Sequence, residues 1–201
     1  ALSSAASDVY KRQRTRIRAR RLRKSMKINS LKVKDFRNLA EQEINFGKGL
    51  NVICGSNGAG KTNILEALHF CSIGRSPRTR KDGETVAFAK KSAEIRINYE
   101  RGGVEREVGL NIHTNKGKLI MLDGVPSQKV SDIVGNFATV YFSPDEINIV
   151  RGGPQYRRRF MDIINCQIGM GYMNNLRNLQ HALKQRNAIL KSINMASRYD
   201  L

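Results

Sequence analysis

The chain has 201 residues, enough for one or two domains, and 40% of them are hydrophobic, the share of an ordinary globular protein. No apolar run approaches the ~18 residues that a membrane-spanning helix needs, so no segment is expected to cross a bilayer. The formal net charge of +19 points to a polyanionic partner, with a solvated basic surface as the competing explanation.

Residues 1–25 carry nine Lys/Arg against one Asp and show no hydrophobic periodicity. They also lack the apolar core of a secretory signal, leaving a basic arm or a transit peptide as the protein-level readings. Within them, SSAASDVYKRQ looks like translated adapter sequence, so Met26 is the expected natural start and 1–25 a non-native or disordered leader. From Met26, MKINSLKVKDF alternates as a strand does, with a turn at Arg37–Asn38 and a second strand in EQEINF. GLNVIC is an apolar run, read as the strand that leads into a glycine loop, and Ile64, Leu65, Leu68 and Cys71 then recur at helical spacing. Residues 74–85 read as a polar, basic loop. AEIRINYER and VEREVGLNIHT form a hairpin split by Gly102–Gly103, and KLIML follows an Asn-Lys-Gly turn. SQKVSDIV is expected to be a short helix and ATVYF a buried strand.

At Ser143 the texture changes. Ser143, Pro144 and Glu146 have the spacing of a helix-capping box. PQYRRRFMDIINCQI is helical, as is Tyr172–Ile193, where Tyr172, Leu176, Leu179, Leu183, Leu190 and Ile193 form an apolar seam broken by Arg186. That seam is expected to serve as lobe core rather than as a partner-binding coil. The expected division is a strand-rich α/β lobe over 26–142 and an all-helical lobe over 143–201. Cys54, Cys71 and Cys166 are too scattered for zinc or a disulfide framework. Cys54 and Cys71 are expected as small buried hydrophobes, which suits a reducing cytoplasm. His69, His113 and His181 are isolated and carry no assigned chemistry.

GSNGAGKT (55–62) matches G-x-x-x-x-G-K-[ST], the P-loop. A phosphate chain needs several backbone N–H groups aimed inward, and glycine permits the dihedrals and the close approach. The helix that follows turns its N-terminus to the same anion. Gly55, Ser56, Asn57, Gly58, Ala59, Gly60, Lys61 and Thr62 are therefore the candidate ATP cradle, with Lys61 for the β- and γ-phosphates and Thr62 for Mg²⁺. Hydrolysis also needs an acidic residue on the metal and a positioned water. LIMLDG offers Asp123, but the Asp-Gly pair reads first as a tight turn. No residue of the chain is assigned a catalytic role.

LKVKDFRNL, GSNGAGKTNILEAL, FSPDEINIVRGGPQYRRRFMD and LKQRNAILK together resemble the bacterial RecF recombination and replication-repair proteins, relatives of the structural-maintenance-of-chromosomes family. The resemblance runs from Met26 to about Arg198. It implies a P-loop ABC-type ATPase head, a mixed sheet around the P-loop helix followed by an all-helical lobe. It further implies an ATP-switched clamp for DNA repair, gap repair, the SOS response and replication-fork maintenance. Two full-length heads would dimerise around ATP, engage DNA near single-strand gaps or junctions, and help RecO- and RecR-type proteins load recombinase. The full-length dimer would be a weak ATPase, cytoplasmic and nucleoid-associated. Arg37 and Asn38 would border the nucleotide, with a plain turn as the equal alternative. Arg157, Arg158 and Arg159 are candidate DNA contacts, with a solvated helix face or intramolecular salt bridges as the rival, and so is the basic loop Arg75–Lys81. The family's Ser-Gly signature and acidic Asp-Glu strand do not occur in the chain, so an N-terminal fragment that binds ATP without efficient turnover is expected. A P-loop kinase or a transporter-type ATPase is the alternative. Both are disfavoured, the first by arginines lying far from the P-loop and the second by Phe46 being only a loose adenine-stacking candidate.

Overall fold

The structure, a computed structural model, describes residues 26–127 and 129–199, and the leader 1–25 lies outside the described residues. In chain order come β1 (Met26–Phe36), β2 (Leu39–Asn45), α1 (Lys61–Ile73), β3 (Ser92–Arg101), β4 (Val104–His113), β5 (Gly117–Leu122) and β6 (Val125–Ser127). Then follow α2 (Asn148–Arg151), α3 (Pro154–Ile168) and α4 (Met170–Tyr199), with short 3₁₀ turns at Asp82–Thr85, Val130–Asp132 and Pro144–Ile147. The backbone groups into two compact units. One holds the described residues through Cys71 together with Arg75–Gln128, and the other holds Ser72–Gly74 and the residues from Lys129 onward.

The first unit is a six-stranded sheet in the order β2-β1-β3-β4-β5-β6, and every neighbouring pair is antiparallel. Successive side chains of a strand face opposite sides, so alternation in sequence becomes one dry face and one wet one. Leu31, Val33, Ala93, Ile95, Ile97, Tyr99, Val108, Leu110, Ile112 and Ile120 are buried. On the wet face Lys32 pairs with Glu43 at 3.2 Å and Arg96 with Glu94 at 2.7 Å. α1 joins this core through Phe70, whose ring lies 6.5 Å from that of Phe36.

Several expectations fail where an apolar segment finds no partner. The run before the glycine loop is not a strand, and its Leu50 is 89% exposed. None of its backbone pairs with a strand among the described residues; Asn51 instead braces the preceding turn, accepting from the Gly47 N–H at 2.8 Å. Cys54, on the same segment, is exposed, whereas Cys71 on α1 is buried. ATVYF is likewise not a strand, with Val140 91% exposed. Among its described residues SQKVSDIV gives the 3₁₀ turn Val130–Asp132 in place of the expected helix. β6 has no counterpart in the sequence reading; it follows from the Asp123–Gly124 turn, where both residues have positive φ and Leu122 pairs with Val125.

In the second unit Ser143 caps a 3₁₀ turn with no side-chain cap bond, so the capping box is not formed. Gln167 of α3 accepts from the Ser72 hydroxyl at 3.1 Å and from the Thr139 N–H at 2.8 Å. α3 and α4 fall where expected, but the seam of α4 is open: Tyr172, Leu179, Leu183, Leu190 and Ile193 are all exposed. Periodicity specified a helix with an apolar stripe; Leu176 is half-buried and the Tyr172 hydroxyl donates to Asp162 of α3 at 2.6 Å, while the stripe from Leu179 to Ile193 stays exposed.

Candidate nucleotide-binding site

The loop 55–60 precedes α1, and its three glycines have φ of +155°, +85° and +97°. Gly58 has open space around it, so its dihedral alone calls for glycine. Gly60 is constrained twice, because a Cβ there would lie 2.6 Å from the Leu39 Cδ2 and 2.9 Å from the Asn38 Oδ1. α1 opens at Lys61 with the Asn63 and Ile64 N–H groups returning to the Gly60 carbonyl at 2.9 and 3.0 Å. The Lys61 ammonium curls back over the loop, donating to the carbonyls of Gly55 and Ser56, each at 2.7 Å. An ammonium has three donors, so one remains for a ligand even in this posture. Thr62 is exposed in the first turn. Glycine dihedrals, a cation over the loop, an exposed hydroxyl and a helix N-terminus together fit a nucleotide's phosphates and their metal ion.

Arg37 and Asn38 come to the loop from the β1–β2 turn, and they do different things. The Asn38 amide donates to the Gly58 carbonyl at 2.6 Å and accepts from the Asn63 amide at 2.7 Å, so it ties the glycine loop to the helix. Arg37 takes φ +56°, an uncommon conformation for a side-chain-bearing residue. It is held there by its N–H to the Thr85 carbonyl at 2.7 Å and by its guanidinium on the Glu84 carbonyl at 2.9 Å. That guanidinium also bonds both oxygens of Glu66, at 2.7 and 3.3 Å.

Glu66 and Asn63 were not singled out from the sequence, and Ser76 and Arg78 only as part of the basic loop 75–81. Glu66 is fully buried on α1 and is served by Arg37, by the Ser76 hydroxyl at 2.6 Å and by Arg78 at 3.1 Å. Arg78 also donates to the Asn63 Oδ1 at 2.8 Å. A polar chain thus runs from Glu66 through Arg78, Asn63 and Asn38 to the Gly58 carbonyl. A buried charge is tolerated where its hydrogen-bonding capacity is filled, and here it locks the basic loop 74–81 onto the P-loop helix. The available signal was a lone carboxylate in an otherwise acid-free apolar helix.

Asp123 stands elsewhere, on the β5–β6 turn. It accepts from the Glu107 N–H at 2.8 Å and from Arg106 at 2.6 Å, and these bonds, the backbone one first, hold its carboxyl below the usual range. It is a turn residue with its acceptors occupied. Of the arginine cluster on α3, Arg157 donates to the Ile149 and Gly152 carbonyls at 3.2 and 3.1 Å and so closes the α2–α3 corner. Arg158 and Arg159 are exposed.

Residues 30–194 match the family described as the AAA domain, and the chain belongs to that family. Its sequence is similar to proteins named DNA replication and repair protein RecF. That of Lachnospira eligens is 39% identical over 84% of this chain and 46% of the relative. That of Ruminiclostridium cellulolyticum is 38% identical over 84% and 45%. The chain thus spans about half the length of these relatives. Among solved structures, that of the recombination mediator protein RecF-ATP in the RecFOR pathway superposes with a TM-score of 0.79 at 35% identity, over 84% of this chain and 46% of that one. The Smc head domain of Pyrococcus furiosus bound to the C-terminal domain of ScpA superposes with a TM-score of 0.56 at 22% identity, over 85% and 49%, which concerns the fold alone. The fold is that of an ABC-type ATPase head.

Proposed function

We propose that this chain is the nucleotide-binding part of an ATP-switched DNA-repair protein of the RecF kind. It would hold ATP in the cradle Gly55–Thr62, with Lys61 on the β- and γ-phosphates and Thr62 on Mg²⁺. The observation that carries the reading is the glycine loop itself, held by the Asn38–Gly58 bond directly ahead of α1. Bound ATP would supply negative charge for Lys61 and the loop N–H groups to grip; Asn38 and Asn63 would keep the loop in the shape that does so. The RecF likeness supports the rest of the reading: a DNA-binding, cytoplasmic, nucleoid-associated protein of replication and recombinational repair. It would act at single-strand gaps with RecO- and RecR-type proteins, and as an ATP-dependent homodimer at full length. Weak hydrolysis would belong to that full-length dimer.

Titration with a fluorescent ATP analogue tests the cradle. Lys61→Ala should lose nucleotide affinity by at least ~10-fold, the range for a lost charged hydrogen bond, with an unchanged thermal melt. A folded Lys61→Ala protein with wild-type affinity overturns the assignment. Phosphate release by the wild-type chain should stay near that of Lys61→Ala.

A further inference from the structure

α4 carries a second feature besides its open seam. From Met170 to Tyr199 it contains no Asp or Glu, while Arg177, Lys184 and Lys191 recur every seven residues. At 3.6 residues per turn and 1.5 Å per residue, that spacing sets them in one stripe about 10.5 Å apart. All three are exposed. None of the three forms an ion pair with a carboxylate among the described residues. Each also stands one residue beyond a seam leucine (Leu176, Leu183, Leu190), about 100° around the helix. An element lying on the seam would leave the stripe facing outward.

We infer that the Arg177–Lys184–Lys191 stripe binds the phosphate backbone of duplex DNA, a deepening that rests on the DNA-binding reading above. A stripe of unpaired cations has no matching geometry for a specific acceptor, and lysine is depleted in protein–protein interfaces. Long cationic side chains at regular intervals suit a ligand that carries one charge per ~1.7 Å of axis. They position without reading sequence. The stripe lies on a different helix from the arginines of α3, one of which is already committed to backbone carbonyls.

The test is anisotropy of a labelled duplex with the complete chain, between about 50 and 200 mM salt. The triple variant Arg177→Gln, Lys184→Gln, Lys191→Gln should reduce the slope of log K against log[salt] by about 2.7, that is ~0.9 for each of three lost contacts. Residues 1–25 are common to both proteins, so the difference in slope isolates the stripe. Thermal melt and nucleotide affinity should match wild type, since glutamine keeps helix propensity. Arg158→Gln with Arg159→Gln is the companion variant. A triple variant with the wild-type slope, or one whose slope changes only because it melts early, overturns the stripe and leaves the DNA reading intact. A wild-type chain without salt-dependent duplex binding overturns both, while the Lys61 titration still stands on its own.

Discussion

α1 and α4 are both helices with apolar residues at helical spacing, yet they end in opposite situations. α1 buries Ala67, Phe70 and Cys71 completely and carries a carboxylate that two guanidiniums and a hydroxyl satisfy. α4, more than twice as long, leaves most of its apolar seam exposed and Arg177, Lys184 and Lys191 without carboxylate partners among the described residues. The difference lies in what stands opposite. α1 meets a sheet whose dry face combines hairpin pairs with the long-range β1–β3 pair that closes across the P-loop and α1, so its partner is part of the same folded unit. α4 presents a stripe that the described residues do not answer. Spacing determines which face a helix offers; burial depends on a second element.

The comparison can be broken most severely at Glu66. Glu66→Ala strands Arg37, whose side chain is only 22% exposed, and it removes the anchor of Arg78. Breaking a buried pair from one side costs about 3–5 kcal/mol, so denaturant unfolding should show a loss of that order. Arg177→Gln on α4 should change stability by less than about 0.5 kcal/mol. A Glu66→Ala chain as stable as wild type would mean that the buried network does not hold the loop.

Next is the pH response of α1. Burial holds His69 at a pKa of about 4, against 6.5 for the free side chain. The unfolded chain therefore binds a proton between those values that the folded chain refuses. Stability is fully present above pH 6.5 and declines as pH falls toward 4, by up to about 3 kcal/mol. Melts from pH 7 to pH 4.5 should show the decline, and His69→Gln should flatten it. An equal decline in His69→Gln would place the effect on other groups.

Asn38 gives a smaller effect, sharper in meaning. Asn38→Ala removes one bond to Gly58 and one from Asn63. Each neutral bond contributes about 1 kcal/mol, so the melt should fall by a few degrees while nucleotide affinity drops by about tenfold. If Arg37 and Asn38 were merely turn residues, stability would move without affinity.

Much of this was legible beforehand. The β1–β2 turn, the Gly102–Gly103 hairpin, the P-loop and its helix, the Asp123–Gly124 turn and the two long helices all follow from local signals: alternation, turn residues and helical spacing. The misreadings share one cause. GLNVIC and ATVYF have the apolar character of buried strands, but a strand forms only when another offers its N–H and C=O groups, and no short-range pattern reports that. Cys54 was placed in the core for the same reason. The Glu66 network escaped notice because its members, at 37, 63, 66, 76 and 78, are joined by the fold of a turn and a loop onto α1. The glycine loop and the helix start after it were readable because their signals lie in eight consecutive residues.

The smallest expected effect bears on the open seam of α4. Leu179 is 55% exposed and Leu183 44% exposed. Glutamine at either position keeps good helix propensity, so the intrinsic cost is a few tenths of a kcal/mol at most. Because these side chains have already kept about half their surface in water, their removal forfeits little of the ~25 cal/mol per Å² that burial contributes. Leu179→Gln with Leu183→Gln should therefore leave the melt of the dilute chain within about 0.5 kcal/mol of wild type, in contrast to Phe70→Ala on α1, where a fully buried ring is worth about 3–5 kcal/mol. The concentration series is the discriminating measurement. A second copy seated on the seam would make the wild-type melt rise with protein concentration, because association stabilises by mass action, and the glutamine pair would abolish that rise. A flat series for both proteins leaves the seam uncovered in the isolated chain. A large loss in the glutamine pair at every concentration would show that the seam is buried within the chain after all, and that α4 resembles α1 more closely than its exposed leucines indicate.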